Sequence, residues 1–269
     1  MRKSVFPEIC KARDVGIELA MMAGEVLLAT FGASKEANAK GGNIRDIVTR
    51  ADLESEKILI EGITKAYPNY GILSEERGAI RNGERYNWVL DPLCGTTNYS
   101  QGIAYFGVSV ALTMGTEILL GVIYNPTNKE LFHAVQNEGA YLDRSKLCVS
   151  KTDQLNHAFL CVEWGNSETS IAKGIDYFAN LAGAARKVRF LGSAALNLAN
   201  LAAGRLDAYI DQLHWWDLAA GALIVEEAGG QVTDLTGRSV TNSSDEIIAT
   251  NGRLHTSILH TVLGQRRRT

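Results

Sequence analysis

An aromatic and β-branched run, Tyr86 to Leu90, leads directly into Asp91-Pro92-Leu93-Cys94-Gly95-Thr96-Thr97-Asn98. Residues of that kind suit a pleated, half-buried strand. Pro92 offers no ladder donor and is expected to stop the strand, which puts Asp91 at its carboxyl end. Gly95 permits a tight turn, and Thr96, Thr97 and Asn98 are of the types that open helices. A carboxylate thereby stands beside a helix start whose free N–H groups attract phosphate. The two would repel one another without a divalent cation between them, so the segment calls for a metal.

Other segments place acids at element ends. Asp46-Ile47-Val48-Thr49-Arg50-Ala51-Asp52 opens a helix, Gly71-Ile72-Leu73-Ser74-Glu75-Glu76 ends a strand, and Trp216-Asp217-Leu218-Ala219-Ala220-Gly221 opens a late helix. Singly, Asp52 reads as a first-turn charge, Glu75-Glu76 as solvated surface and Asp217 as an N-cap. Their order and co-occurrence change that reading. With the octapeptide they resemble the inositol monophosphatase family, whose signatures are D-P-[IL]-D-G-T-x-[NS], D-x-V-T-x-x-D, G-x-x-x-[GS]-E-E and W-D-x-A-A-G, over about residues 35 to 235.

The resemblance implies a mixed α+β and α/β fold, a layered αβαβα sandwich of the inositol monophosphatase and fructose bisphosphatase type. It implies a homodimer that hydrolyses small phosphate monoesters with Mg²⁺ and is inhibited by Li⁺. It assigns Glu75, Asp91, the Leu93 carbonyl and the Thr96 hydroxyl to a first metal, Asp91 and Asp217 to a second, and Asp52, Glu75 and Thr96 to orienting the attacking water. Gly95 and Thr96 would face the phosphate through their backbone. Gly192, Ser193 and Ala194, resembling a G-[ST]-A-A loop, would meet the substrate's polyol or sugar, with Asp211 in place of a family Glu. The stretch from Asp207 to Asp217 is one residue shorter than the common pattern. His214 and Trp215 either line the same edge or pack internally.

The chain departs from the family at Cys94, which replaces a carboxylate ligand of the second metal. A thiol is a soft donor that favours Zn²⁺ over Mg²⁺, so Mn²⁺ or Zn²⁺ joins Mg²⁺ as a candidate cofactor. A helix start lowers a thiol's pKa and nearby carboxylates raise it, leaving the sign open. Cys94 as a nucleophile would lack a neighbouring His and an Arg-rich cradle. The readings are therefore a phosphomonoesterase weakened or retuned at Cys94, a ligand-binding or regulatory protein that has lost catalysis, and a site reused for other chemistry on a small phosphorylated molecule.

Composition narrows the context. The chain has 269 residues, 46% hydrophobic, enough for one large domain or two lobes. A net charge of −3 supplies no bulk attraction to nucleic acid or anionic membrane. The Arg266-Arg267-Arg268 run reads as a solvated tail. No apolar stretch reaches membrane-helix length, Met1-Arg2-Lys3-Ser4 lacks a signal-peptide core, and Cys10, Cys94, Cys148 and Cys161 form no CxxC pair, so a cytoplasmic protein with reduced thiols is expected.

Ala12 to Thr30 has helical apolar spacing, Lys35 to Arg45 with Gly41-Gly42 reads as a mobile loop, and Thr49 to Ala66 as a second helix. Strands follow at 106–113, 118–124, 131–135 and 140–142 in antiparallel meander. After Ser150, strands at 159–162, 188–191 and 208–210 alternate with helices at 169–181, 193–203 and from Asp217. That change of pattern predicts lobes of residues 1–150 and 151–269, with a ligand cleft between them.

Overall fold

The structure is a computed structural model that describes residues 6–33, 36–83 and 85–264. Met1 to Ser4, Lys35 and the run Arg266 to Arg268 lie outside them. Helix α1 (Phe6–Thr30) buries Ile9, Ala12, Leu19, Ala20, Ala23 and Leu27 along one stripe. The segment read as a loop is instead a hairpin, β1 (Asn38–Lys40) and β2 (Asn43–Val48). Its turn residues Gly41 and Gly42 have φ of 56° and 81°, the left-handed pair that a two-residue hairpin turn needs. Helix α2 (Arg50–Ala66) is capped reciprocally: the Thr49 side chain accepts from the Asp52 N–H while Asp52 accepts from the Thr49 N–H.

There follow β3 (Gly71–Ser74), β4 (Gly78–Arg81), β5 (Asn87–Cys94), α3 (Thr96–Ser100), β6 (Gly107–Met114), β7 (Glu117–Asn125), β8 (Glu130–Val135), β9 (Gly139–Leu142) and β10 (Ser145–Lys146). They form a sheet in the order β10-β9-β8-β7-β6-β5-β3-β4, antiparallel apart from the parallel β3–β5 pair. Pro92 does not end its strand. β5 runs on to Cys94 through an irregularity, with Asp91 opposite Ser109 and Cys94 opposite Gly107, and Pro92 falls in that bulge, where no ladder bond needs its missing N–H. The cap of α3 is Gly95 itself, at φ 107°, rather than a Thr or Asn side chain.

The remaining elements are β11 (Phe159–Val162), α4 (Glu168–Ala182), β12 (Lys187–Arg189), α5 (Ala194–Ala202), β13 (Ala208–Gln212), α6 (Trp215–Glu227), β14 (Gln231–Asp234), β15 (Glu246–Thr250) and α7 (His255–Val262). The second sheet has the order β12-β11-β13-β15-β14. Asp217 does not open α6: the helix starts at Trp215, His214 is its cap, and Asp217 in the first turn accepts from the His214 N–H at 3.0 Å.

The layers are α1 and α2, the eight-stranded sheet, α5 and α6, the five-stranded sheet, then α4 and α7. Separate apolar clusters fill the gaps: Leu27, Leu59, Trp88 and Leu120 under the first helices, Phe132, Leu198, Leu218 and Ile224 between the sheets, and Leu160, Leu181, Ile210 and Ile258 under the last pair. α6 is apolar almost all round because it has a sheet on either side. This is the αβαβα sandwich expected.

Candidate active site

Parallel pairing of β3 with β5 sets Ser74 against Leu90, and the Glu75 N–H donates to the Leu90 carbonyl at 3.1 Å, so Glu75 and Asp91 emerge side by side at the same sheet end. The bulge then turns the chain into α3. At Gly95 an added Cβ would lie 3.0 Å from the Tyr105 carbonyl and 3.1 Å from that of Gly192, and φ is positive, so only glycine fits. Behind this turn the Thr96 hydroxyl lies 2.9 Å from Asp52 Oδ1 and 3.0 Å from the Leu93 carbonyl oxygen, both acceptors. Burial pushes the Asp52 carboxyl up to about 6, against the lowering effect of its bonds to Thr49 and Thr96.

One ligand atom each from Asp91, Cys94 and Asp217 lies within 4.8 Å of the others. Asp91 is fully buried; Oδ1 accepts from the Leu93 N–H at 3.1 Å, while Oδ2 has no partner among the described residues. Burial, then the charges of Glu75 and Asp217, raise Asp91 well above the carboxylate range, and burial with Glu75 raises Asp217. With no cation between them, burial and then the charges of both aspartates push the Cys94 thiol up; its Sγ accepts from the Ala195 N–H at 3.2 Å. A protonated, buried thiol is a poor nucleophile.

Lys40 reaches in from the hairpin and places Nζ 2.7 Å from both Glu75 Oε1 and Glu76 Oε1, and 3.8 Å from Asp46 Oδ1. Burial would lower this ammonium's pKa, but the two glutamates outweigh it and the net shift is upward. Burial also lifts Glu76 to about 7 despite Lys40. Several buried acids with raised pKa values, an unpartnered carboxylate oxygen and a lysine drawn onto them are the electrostatic signature of a cation site. The donors fit: Glu75, Asp91 and the Leu93 carbonyl are hard oxygens suited to Mg²⁺ or Mn²⁺, and Cys94 adds a soft atom on the Asp217 side.

Beyond the acids opens a cleft of about 930 Å³, lined by Lys40, Glu75, Cys94, Gly95, Thr96, Gly192, Ser193, Ala194, Asp211 and Asp217 among others. The 191–194 loop is held from two sides. Glu163 Oε1, at the end of β11, accepts from Leu191 N–H at 2.8 Å, Gly192 N–H at 2.6 Å and Asn197 Nδ2 at 2.8 Å. Asn98 Nδ2 donates to the Leu191 carbonyl at 2.8 Å, and Ser193 Oγ to the Cys94 carbonyl at 2.9 Å. Asp211 is buried, accepts from the Tyr209 hydroxyl and the Gln212 N–H, and is raised by burial and by Glu163.

Every residue singled out from the sequence for metal, water, phosphate or substrate therefore comes to this one region: Asp52 through Thr96, Asp91 and Leu93 beneath it, the rest on the cleft wall. His214 lines the cleft, but Trp215 packs into the core between the sheets. Sequence reasoning missed Lys40, Glu163, Trp164 and Phe190. Glu163 alone carried a signal, an acid directly after a strand.

The model of the "Inositol monophosphatase family" matches residues 11–267. A Thermotoga maritima protein named "Fructose-1,6-bisphosphatase/inositol-1-monophosphatase" is 33% identical over 250 residues, 93% of this chain and 94% of its own. "Nus factor SuhB" of Pasteurella multocida is 35% identical over 252 residues, covering 93% and 94%. The crystal structure of the extragenic suppressor protein suhB from Bartonella henselae superposes with a TM-score of 0.89 at 33% identity, covering 96% of this chain and 100% of that one.

Proposed function

Because the chain belongs to the inositol monophosphatase family, we propose that it hydrolyses a small phosphate monoester, an inositol or sugar phosphate, with a second metal position weakened or retuned by Cys94. The observation that carries this reading is the convergence of Asp91, Cys94 and Asp217 within 4.8 Å, with Asp91 Oδ2 unpartnered. The family is metal-dependent. Glu75, Asp91, the Leu93 carbonyl and Thr96 would hold one divalent ion, and Asp91, Asp217 and the Cys94 position a second; such ions would neutralise charge on the phosphoryl oxygens and polarise the bond to the leaving oxygen.

This chain's own residues supply the rest. Glu75 and Thr96 orient a water toward phosphorus. Asp52, lifted toward neutral pH, takes that water's proton by way of the Thr96 hydroxyl as the new P–O bond forms and the bond to the ester oxygen breaks, the leaving oxygen taking a proton from solvent water in the cleft to depart as the alcohol. The backbone at Gly95 and Thr96 faces the phosphoryl group, and Gly192, Ser193, Ala194 and Asp211 meet the alcohol. In this reading lobes 1–150 and 151–269 share the cleft. We place the protein in the cytoplasm as a homodimer, supported by four free cysteines and by the family resemblance; no helix among the described residues is long and apolar enough to cross a membrane.

A second reading, a ligand-binding protein that has lost catalysis, is favoured by the soft thiol that stands beside Asp91 and Asp217 where a hard oxygen donor would serve Mg²⁺. Assays of the wild type and Cys94→Asp on inositol phosphate and other small esters with Mg²⁺, Mn²⁺ and Zn²⁺ separate the two. Restoring one hard donor is expected to raise Mg²⁺-dependent turnover by about two to four decades, or roughly 3–5 kcal/mol of barrier. No hydrolysis by either form, with small ligands still bound, supports the second reading. Unchanged activity removes Cys94 from the ligand set.

A further inference from the structure

Helix α2 carries a polar stripe within an otherwise apolar buried face. Asp52, Ser55 and Glu56 are closed to solvent and stand at i, i+3 and i+4 on one side, among the buried Ala51, Leu59 and Ile63. Each of the three reaches a different piece of the site. The Thr96 hydroxyl lies 2.9 Å from Asp52 Oδ1, Ser55 Oγ donates to the Pro92 carbonyl at 2.7 Å within the β5 bulge, and Glu56 crosses to the turn between β3 and β4.

Glu56 grips that turn on both sides of Glu75 and Glu76. Its Oε1 accepts from Ser74 Oγ at 2.5 Å and from the Arg77 N–H at 3.2 Å, and its Oε2 accepts from Arg77 Nε at 3.1 Å. A glutamate with no exposed surface is a poor source of core stability, because an apolar side chain of similar volume often does as well. What the ion pair supplies is one fixed geometry. The turn requires it, since Glu75 and Glu76 are adjacent carboxylates drawn together by Lys40, whose Nζ lies 2.7 Å from each. A cation taken up by Glu75 repels that ammonium and loosens the tie. The bonds from Glu56 hold the ends of the turn and do not pass through Lys40.

We propose that Glu56 is a positioning residue: through Ser74 and Arg77 it holds the Glu75 carboxylate where a divalent cation needs it, while touching neither ion nor substrate. The proposal rests on the metal-dependent reading of the site for the role of Glu75. Groups that orient a metal ligand are worth about ten- to a hundred-fold in metal affinity, and Glu56 acts one bond further out, so the lower end, about ten-fold, is expected. Arg77 is the accessible end of the same brace: its side chain is 56% exposed and can be altered without opening the core.

Calorimetric titration of the chelator-treated protein with Mn²⁺, in the absence of substrate, reads this effect apart from turnover. Glu56→Gln keeps the shape but removes the charge and one acceptor oxygen, and should weaken Mn²⁺ binding about ten-fold. Arg77→Ala should weaken it by a smaller factor, Arg77→Lys should recover part of that loss, and Glu56→Gln with Arg77→Ala should be less than additive, because both cut one brace. Ile63→Val, a cut in the apolar part of α2, should lower the urea midpoint and leave Mn²⁺ affinity at the wild-type value. Wild-type Mn²⁺ affinity in Glu56→Gln, or in Arg77→Ala should Glu56→Gln fail to fold, overturns the proposal. An equal loss of affinity in Ile63→Val overturns it too, since α2 would then act through stability alone. Wild-type protein that binds no Mn²⁺ removes Glu75 as a ligand and this proposal with it. Mn²⁺ binding that depends on Glu56, in a protein that hydrolyses no phosphate ester, refutes the phosphatase reading and leaves the brace standing.

Discussion

Cys94 differs from a carboxylate in softness and charge, yet its surroundings would accept one: the Ala195 N–H already donates to Sγ at 3.2 Å and Ser193 Oγ fixes the Cys94 carbonyl. That is the physical ground for expecting Cys94→Asp to gain activity rather than collapse. The buried acids around it give a pH signature as well. Asp52 at about 6 and Glu76 at about 7 both lie above their unfolded values, mainly through burial, so the metal-free native state binds more protons than the unfolded chain. Stability from this cause is therefore present below the unfolded pKa values and is lost as pH rises through about 6 and 7. A bound cation reverses the preference by favouring the carboxylates and releasing protons. The increase in urea midpoint on adding Mg²⁺ to chelator-treated protein should thus be larger at pH 8 than at pH 6. A gain independent of pH would show that the acids do not titrate with the ion. These acids were legible in the sequence because each sits at an element end inside a patterned segment. Lys40 was not, since its partners Glu75 and Glu76 are brought to it only by the hairpin's fold.

The hairpin β1–β2 shows how an element sets the site's resting charge. Gly41-Gly42 was a visible turn signal, but short polar flanks gave no alternating apolar pattern, so the strands were hidden and the segment read as a loop. Similarly, Pro92 read as a stop because a bulge is invisible until the partner strand's register is known. As folded, the hairpin presents an ammonium to the carboxylate that a first cation needs, and the two positive charges compete. Lys40→Ala should therefore tighten Mn²⁺ binding roughly three- to ten-fold, the size of a partly exposed ion pair. Titration calorimetry without substrate reads this directly, and unchanged or weaker binding would show that Lys40 does not contest the ion.

At the scale of the whole molecule, the position of Asp217 depends on how closely α6 approaches the large sheet. A Cβ at Gly121 in β7 would lie 2.6 Å from the Ala220 carbonyl oxygen and 2.8 Å from its Cα, so strand and helix meet backbone to backbone there. The sequence showed both elements but not this contact, because a glycine's lack of bulk announces room without naming the neighbour. Gly16 in α1, packed on the other face of the same sheet, differs: its added Cβ would find Trp88 at 3.5 Å, Val122 at 3.6 Å and Val110 at 3.7 Å, ordinary contact distances. The two glycines should therefore respond oppositely to alanine. Gly121→Ala must push α6 away, at about 1–3 kcal/mol of overpacking, and because Asp217 rides in the first turn of α6, Mg²⁺ affinity should fall with stability. Gly16→Ala should stabilise by up to about 1 kcal/mol through helix propensity and leave Mg²⁺ affinity unchanged. Urea unfolding and Mg²⁺ titration on the same samples decide the matter: if Gly121→Ala loses stability while keeping full metal affinity, the spacing of the central layer does not position the carboxylate.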